Sequence, residues 1–167
     1  MSAFCYLLQA QIPPLRRYAR ALLRDASRAD DLIQDTLLRA LAKQHLWQEG
    51  TNLRAWLFTL MHNLHVNLMR QSVHERTMVD VDDVSATLIA NTDPTGSRQL
   101  GELEIALARL PVEQREVVLL IGLEGIRYDE AAEILCVPIG TVRSRLSRAR
   151  ETLRQVFDRD EQTAEAA

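Results

Sequence analysis

Apolar residues recur at helical spacing along most of the chain. The pattern predicts one helix over residues 14–24, a second that begins at a capping box of Ser27 and Asp30, and a third after the break at residues 50–52. We expect the apolar stripes of these helices to form one core, with these members: Leu15, Tyr18, Ala19, Leu22, Leu23, Ala29, Leu32, Ile33, Thr36, Leu37, Ala40, Leu41, Leu53, Leu57, Leu60, Met61, Leu64 and Leu68.

The helical pattern fails between residues 76 and 97. This segment has loop composition with several aspartates, and it is longer than most connections between helices. We interpret it as a flexible, acidic linker. Whether the linker is a simple tether or has a function of its own is equally open. It separates a domain over residues 1–75 from a second over 98–160, and 161–167 form a tail.

The second domain also reads as helical throughout. Its first helix contains the apolar positions Leu103, Ile105, Ala106, Leu107 and Leu110, and ends at Pro111. Further helices are predicted over 112–123, 128–135 and 141–157. A short turn joins the last two, with Gly140 supplying conformational freedom and Thr141 capping the next helix. Two helices joined in this way indicate a helix-turn-helix, so the fold class is all-α, with two small helical domains.

Composition narrows the class of protein. The chain has 167 residues, 47% of them hydrophobic, and its longest apolar runs are far too short to span a membrane. No secretory signal pattern is visible, so we expect a cytoplasmic protein. The two cysteines, Cys5 and Cys136, are too few for a disulfide framework and are expected to be buried or inert, with a redox role as the alternative.

Charge is concentrated in the last predicted helix. Five arginines and one acid lie between residues 138 and 157, although the whole chain carries a net charge of −3. The basic helix indicates a local nucleic-acid contact, while the acidic total argues against unassisted, non-specific DNA binding. Apolar positions on one side of this helix leave polar side chains for DNA on the other, and the alternative is an amphipathic helix with a solvated face. The candidates are Arg143, Ser144, Arg145, Ser147, Arg148 and Arg150.

We find no pattern that indicates catalysis. The chain shows no nucleophile–base pair, phosphate loop or pair of carboxylates, so we expect no enzyme, no cofactor and no small-molecule substrate. His62 and His65 have a spacing that suits a metal ion, but no third ligand is evident, and we expect exposed side chains and no metal site.

Two sets of motifs resemble a known family. Residues 129–135 (DEAAEIL), 140–146 (GTVRSRL) and 148–150 (RAR) resemble region 4 of the extracytoplasmic function (ECF) sigma factors, a branch of the bacterial sigma-70 family. Residues 30–40 (DDLIQDTLLRA) resemble region 2.2, and 53–60 (LRAWLFTL) with Asn63 resemble regions 2.3 and 2.4. One departure is Arg127, which stands where the family usually has a serine or similar helix cap.

The resemblance implies a subunit that binds core RNA polymerase, directs it to promoters and helps to melt DNA. It implies binding to the β′ clamp and the β flap of the polymerase, the clamp being contacted through Asp31, Gln34, Asp35, Leu38 and Arg39. It implies recognition of the −10 element by Asn63 and by the loop before the third helix, which includes Trp47, and of the −35 element by the basic helix named above. Helical spacing adds Asn67 and Arg70 to the −10 candidates, because they lie on one stripe with Asn63. Trp56 is expected to lie in the core, although a base-stacking role remains open.

The family also implies control by an anti-sigma factor, held at or near the membrane. Two alternatives to an initiation factor remain open. One is a sigma-like decoy that sequesters an anti-sigma factor and need not keep the DNA-reading side chains. The other is a stand-alone helix-turn-helix regulator, which predicts a palindromic operator and DNA binding without polymerase.

Overall fold

The structure is a computed structural model that describes residues 3–78 and 98–165. Contacts divide the chain into two units, Met1–Ala90 and Asn91–Ala167. In the first unit the helices are α1 (Ala3–Ala10), α2 (Ile12–Leu23), α3 (Ala26–Ala42), a short 3-10 helix (Gln44–Leu46) and α4 (Leu53–Met78). In the second they are α5 (Arg98–Ala108), α6 (Val112–Val118), a π-helical segment (Leu119–Leu123), α7 (Tyr128–Leu135) and α8 (Ile139–Glu165).

The all-α prediction is confirmed. Every regular element of the described residues is helical. None of the helices in those residues has both the length and the apolar character that crossing a bilayer requires.

The core of the first unit lies where α3 packs against α2 and α4. The rings of Tyr18 and Phe58 meet edge to face there, with centroids 5.1 Å apart. Burial of each large apolar side chain contributes roughly 1.5–3 kcal/mol, so this interface is the main source of the unit's stability. The core side chains on these three helices are Leu15, Tyr18, Ala19, Leu22, Ala29, Leu32, Ile33, Ala40, Leu53, Leu57, Phe58, Leu60 and Met61.

Helix α3 begins two residues earlier than the sequence pattern suggested. The side chain of Asp25 accepts a hydrogen bond from the backbone N–H of Arg28 (3.0 Å), which makes Asp25 the N-cap in place of Ser27. Near the other end, Leu41 was predicted to be buried but is exposed. The apolar stripe of α3 therefore extends beyond the part of the helix that its neighbouring helices cover.

Helix α4 is longer than predicted. Its start follows the expected break, because Gly50 has a φ of +87° and the Asn52 side chain accepts from the N–H of Ala55 (3.1 Å). Its end at Met78 makes residues 76–78 of the proposed linker helical, while residues 79–97 lie outside the described residues. Leu68, predicted to be core, is exposed.

In the second unit, α8 packs against α6 and α7. Arg115 of α6 also binds the carboxyl end of α5, where its guanidinium donates to the carbonyl oxygens of Leu107 (2.9 Å), Ala108 (3.1 Å) and Leu110 (3.0 Å). The predicted core positions Leu103 and Ile105 on α5 are exposed instead. The buried apolar side chains are Ala106, Leu107, Leu110, Val117, Leu119, Leu120, Ile126, Ala131, Ile134, Leu135, Val142, Leu146, Ala149 and Val156.

The predicted helix over 112–123 changes its winding after Val118. The N–H of Glu124 donates to the carbonyl oxygen of Leu119 (3.0 Å), five residues earlier, which is the π-helical pattern. At the end of this wider turn Leu123 is exposed, and Glu124, which follows it, is buried. Side-chain polarity alone predicts the reverse.

The turn of the helix-turn-helix differs from the prediction in its details. Cys136, not Gly140, has the left-handed backbone conformation (φ +53°), and α8 already begins at Ile139. Thr141 consequently lies inside the first turn of α8 and does not cap it. Cys136 is exposed, so it is not a buried thiol, and Cys5 is half-buried; that the two thiols are inert stays a prediction.

Candidate polymerase-binding and DNA-binding surfaces

The outward face of α3 is polar with an apolar centre. Asp31, Gln34, Asp35, Leu38 and Arg39 are all exposed. Helical spacing groups them on the side opposite the buried stripe of α3. Leu38 is 60% exposed between these polar side chains, an arrangement that suits a protein partner more than water alone.

Two further leucines of the first unit are exposed to solvent. Leu41, near the end of α3, and Leu46, in the 3-10 helix, are also exposed. The spacing of Leu41 along α3 predicts a buried side chain, so the sequence pattern alone does not reveal that Leu41 is exposed. Together with Leu38 they give the first unit several unburied leucines within nine residues.

The polar stripe on α4 is exposed as predicted. Asn63, Asn67 and Arg70 are all solvent-accessible. Asn63 and Arg70 are two turns apart and Asn67 lies one turn from Asn63, so the side chains follow one side of the helix. His65, by contrast, was expected to be exposed and is buried, since it lies on the inward side of α4.

Trp47, in the loop before α4, is half-buried by an aromatic contact. The ring centroid of Phe4 in α1 lies 5.5 Å from that of Trp47 and 6.4 Å from that of Trp56. Trp56 is half-buried too, so it is neither a fully buried core residue nor a freely exposed platform. Sequence reasoning did not include Phe4, because nothing local relates α1 to a loop 40 residues later.

The predicted recognition helix, α8, presents its polar face to solvent. Arg143, Ser144, Ser147, Arg148 and Arg150 are exposed, and Arg145 is half-buried. The opposite side of α8 is buried at Val142, Leu146, Ala149 and Val156. Guanidinium groups offer paired donors to guanine edges and to phosphates, so this face has the chemistry needed to bind duplex DNA.

A shallow groove runs along α8 beside this face. Besides α8 residues, it is lined by Gln114 of α6 and Tyr128 of α7, which sequence reasoning did not select. Glu151, the acid of this stretch, accepts from Arg154 (2.8 Å) and from Gln155 (3.1 Å). Its negative charge is thus compensated within the helix, so it should repel the phosphates of DNA less than an unpaired carboxylate would.

The start of α7 is capped from one side. Arg127 is the N-cap, and the Glu130 carboxylate accepts from its backbone N–H (3.4 Å). The Arg127 guanidinium pairs with Asp129 (2.9 Å). The arginine at this position is therefore accommodated by acids of the first turn, which are also favourable near a helix N-terminus.

Metal binding finds no support in the part of the chain that the structure describes. Residues 3–78 and 98–165 contain no group of three or more ligating side chains placed to hold an ion. His62 is half-buried and His65 is buried on the same helix.

Comparisons with known proteins agree with both units. The family model described as "Sigma2 domain of PhyR" matches residues 8–62. The model described as "Sigma-70, region 4" matches residues 100–153. The two matches define a protein of the sigma class with a region 2 followed by a region 4.

Whole-chain similarity gives the subfamily. The chain is 43% identical to the ECF RNA polymerase sigma factor EcfG of Rhodopseudomonas palustris (strain TIE-1) over 145 residues, which cover 86% of this chain and 79% of the relative. It is similar to the sigma factor RpoE of Bartonella quintana, solved in complex with the anti-sigma factor NepR, at 37% identity and a TM-score of 0.78, covering 95% of this chain and 98% of that chain.

A solved complex of PhyRSL with NepR from Sphingomonas sp. Fr1 shares the fold at 21% identity and a TM-score of 0.63, with 93% of this chain and 88% of that chain covered. At that identity the likeness shows the fold alone. The chain belongs to the ECF subfamily of the sigma-70 family of RNA polymerase sigma factors.

Proposed function

We propose that this protein is a transcription initiation factor that binds core RNA polymerase and directs it to specific promoters. The observation that carries the proposal is the exposed arginine and serine face of α8 in a chain whose relatives are ECF sigma factors. The protein acts by binding, has no catalytic role of its own, and works in the cytoplasm.

Core binding is assigned to the outward face of α3. Exposed acids around Leu38 offer charge and apolar area to the β′ clamp. In a titration against core polymerase, Asp35→Arg and Leu38→Asp should each abolish binding, with helical content unchanged by circular dichroism. Glu49→Arg, an exposed charge reversal outside α3, is the matched control and should bind like the wild type. Wild-type affinity in Leu38→Asp would refute the assignment.

Recognition and melting of the −10 element are assigned to the α4 stripe of Asn63, Asn67 and Arg70, together with Trp47. Amide groups hydrogen-bond to the edge of an unstacked base, and aromatic rings stack on its face. Asn63→Ala should reduce permanganate reactivity of the −10 thymines in the open complex. Gln71→Ala, also exposed on α4, is the control. Unchanged melting and unchanged −10 preference in Asn63→Ala would remove its role.

Recognition of the −35 element is assigned to α8. Arg148→Ala should cost ~1–3 kcal/mol of promoter binding and relax the preference at one base pair, as expected for loss of a bidentate contact. Arg150→Ala should weaken binding to all sequences more evenly and reduce the salt dependence. Arg109→Ala, an exposed arginine outside the helix-turn-helix, is the control. An even loss across all sequences in Arg148→Ala would contradict base reading by that residue.

Control by an anti-sigma factor is the second part of the proposal. The similar RpoE of Bartonella quintana was solved with the anti-sigma factor NepR, so an inhibitor that covers the surfaces named above is the expected partner, and we propose that it is held at or near the membrane. Fractionation of cells followed by cross-linking to this protein tests both statements. Recovery of an inhibitor only from the soluble fraction would contradict membrane association but not inhibition.

A decoy that sequesters an anti-sigma factor is the second candidate. The match of residues 8–62 to the Sigma2 domain of PhyR favours it, because a solved PhyR is described as an anti-anti-sigma factor. Run-off transcription on genomic DNA with purified core polymerase distinguishes the two functions. An initiation factor produces new starts that share −10 and −35 elements, whereas a decoy produces none.

A further inference from the structure

Helix α1 covers the residue proposed to contact the −10 element. Phe4 contacts both Trp47 and Trp56, with centroid distances of 5.5 Å and 6.4 Å. All three rings are half-buried. Part of the Trp47 ring face is therefore occupied by Phe4 and is not available to stack on a nucleic-acid base.

The indole nitrogen of Trp47 finds no hydrogen-bond acceptor among residues 3–78 and 98–165. Its Nε1 atom is buried, and within the described part of the chain it donates to nothing. A buried donor without an acceptor is unfavourable relative to one that is bound or hydrated, and native structures contain few of them. An acceptor that binds the indole N–H in another position of the ring would therefore favour movement of Trp47 out of this arrangement.

Helix α1 is weakly attached to the rest of the first unit. Only Leu8 of its eight residues is buried, while Tyr6 and Leu7 are 60% and 46% exposed. A helix of this length has little stability of its own, and elements with few buried contacts open at low free-energy cost. Displacement of α1 thus has to break the contacts of Phe4, Leu8 and the half-buried Cys5.

We propose that Phe4 holds Trp47 in a closed position in the free protein, and that displacement of α1 releases the indole to contact an unstacked base of the −10 strand. In the released position the ring face stacks on the base, and the N–H donates to an acceptor of the DNA. Phe4 is therefore a positioning residue that acts through Trp47. The inference rests on the proposed role of the first unit in −10 recognition.

The test uses full-length protein assembled with core polymerase and a single-stranded oligonucleotide carrying the non-template −10 element found by run-off transcription. Phe4→Ala should tighten binding by about two- to tenfold, because loss of the aromatic contact with Trp47 raises the population in which the indole is released by roughly that factor. Phe4→Leu keeps an apolar side chain in case the alanine variant is unstable, and it should change binding in the same direction by less. Tyr6→Ala, an exposed aromatic in the same helix, is the control and should bind like the wild type.

Two further readouts separate release of Trp47 from general loosening. The chain has two tryptophans and both contact Phe4, so Phe4→Ala should shift the intrinsic emission of the free protein to longer wavelength. In a Trp47→Phe background the gain from Phe4→Ala should disappear. Unchanged or weaker binding in Phe4→Ala, or a gain that persists without Trp47, would overturn the inference. If the wild type itself opens no promoter, the proposed function fails as well, and that result is distinct from a wild type that opens promoters and is insensitive to Phe4.

Discussion

Arg115 offers a quantitative test of how the second unit is assembled. Its guanidinium donates to the carbonyl oxygens of Leu107, Ala108 and Leu110, at 2.9 to 3.1 Å. Carbonyls at the end of a helix have no partner further along that helix, so a side chain from elsewhere can satisfy them. Here the side chain comes from α6 and its acceptors lie at the end of α5. Arg115 thereby joins α6 to the carboxyl end of α5.

The expected cost of removing this side chain follows from the number and kind of bonds. A hydrogen bond to a charged group contributes about 1.5–3 kcal/mol, and the three bonds here are part-buried and share one side chain, so their contributions do not simply add. We expect Arg115→Ala to lower the free energy of unfolding of the second unit by ~2–4 kcal/mol. Arg115→Lys should cost ~1–2 kcal/mol, because an ammonium group keeps the charge but lacks the planar fork.

Hydrogen exchange read by mass spectrometry after proteolysis gives the unit-specific measurement. In Arg115→Ala, amides of α5 and α6 should lose protection, while those of α2 and α3 in the first unit should not change. Arg109→Ala, six residues earlier and exposed, should change stability by less than about 0.5 kcal/mol. Equal protection of α5 in the two variants would refute the reasoning that Arg115 attaches this helix.

Three further changes test local features of the fold by chemical or thermal unfolding. Asn52→Ala removes the cap of α4 and should destabilise the first unit by ~1 kcal/mol, whereas no change in its unfolding midpoint would show that the cap contributes nothing. Cys136→Gly removes a side chain from a left-handed backbone position and should stabilise the second unit by ~1 kcal/mol, and a lower melting temperature would contradict this. Gln114→Met removes a buried amide oxygen that has no partner in the described residues and should be neutral or stabilising by ~1 kcal/mol; a loss of stability would mean that the oxygen is bound in solution.

Sequence patterns predicted the helices well where neighbours cover a whole stripe. The bounds of α7 were predicted to the residue, and three of the four predicted inward positions of α8, Val142, Leu146 and Ala149, are buried, whereas the fourth, Leu153, is half-buried. The pattern was wrong near the ends of two stripes: Leu41 and Leu68 continue the period of α3 and α4 but are exposed in the described part of the chain. Periodicity reports which side of a helix a residue occupies, and tertiary packing decides whether that side is covered.

Local signals also misled where two residues compete for one role. Ser27 fits a capping box, yet Asp25 caps α3, because both residue types are good N-caps and only the path of the chain separates them. Gly140 was predicted to be the flexible residue of the turn, but the residue with the left-handed backbone conformation is Cys136.

For the candidate site, exposure of the α3, α4 and α8 side chains follows from periodicity, and their contacts with polymerase and DNA stay predictions. The contact of Phe4 with Trp47 has no sequence signal, because it joins distant segments.

The π-helical turn after α6 affects how the sequence of this chain should be aligned with the sequences of its relatives. A π turn holds one more residue than an α turn, which rotates everything downstream by about 100° and here places Glu124 inward and Leu123 outward. A relative one residue shorter at this point can keep an ordinary α-helix, with the residue aligned to Glu124 still facing inward. Deletion of Gly122 in this chain would make Glu124 the fourth residue after Leu119 and should leave its side chain buried. A single-residue gap at Leu119–Leu123 therefore marks a change of helical winding, not a shortened loop.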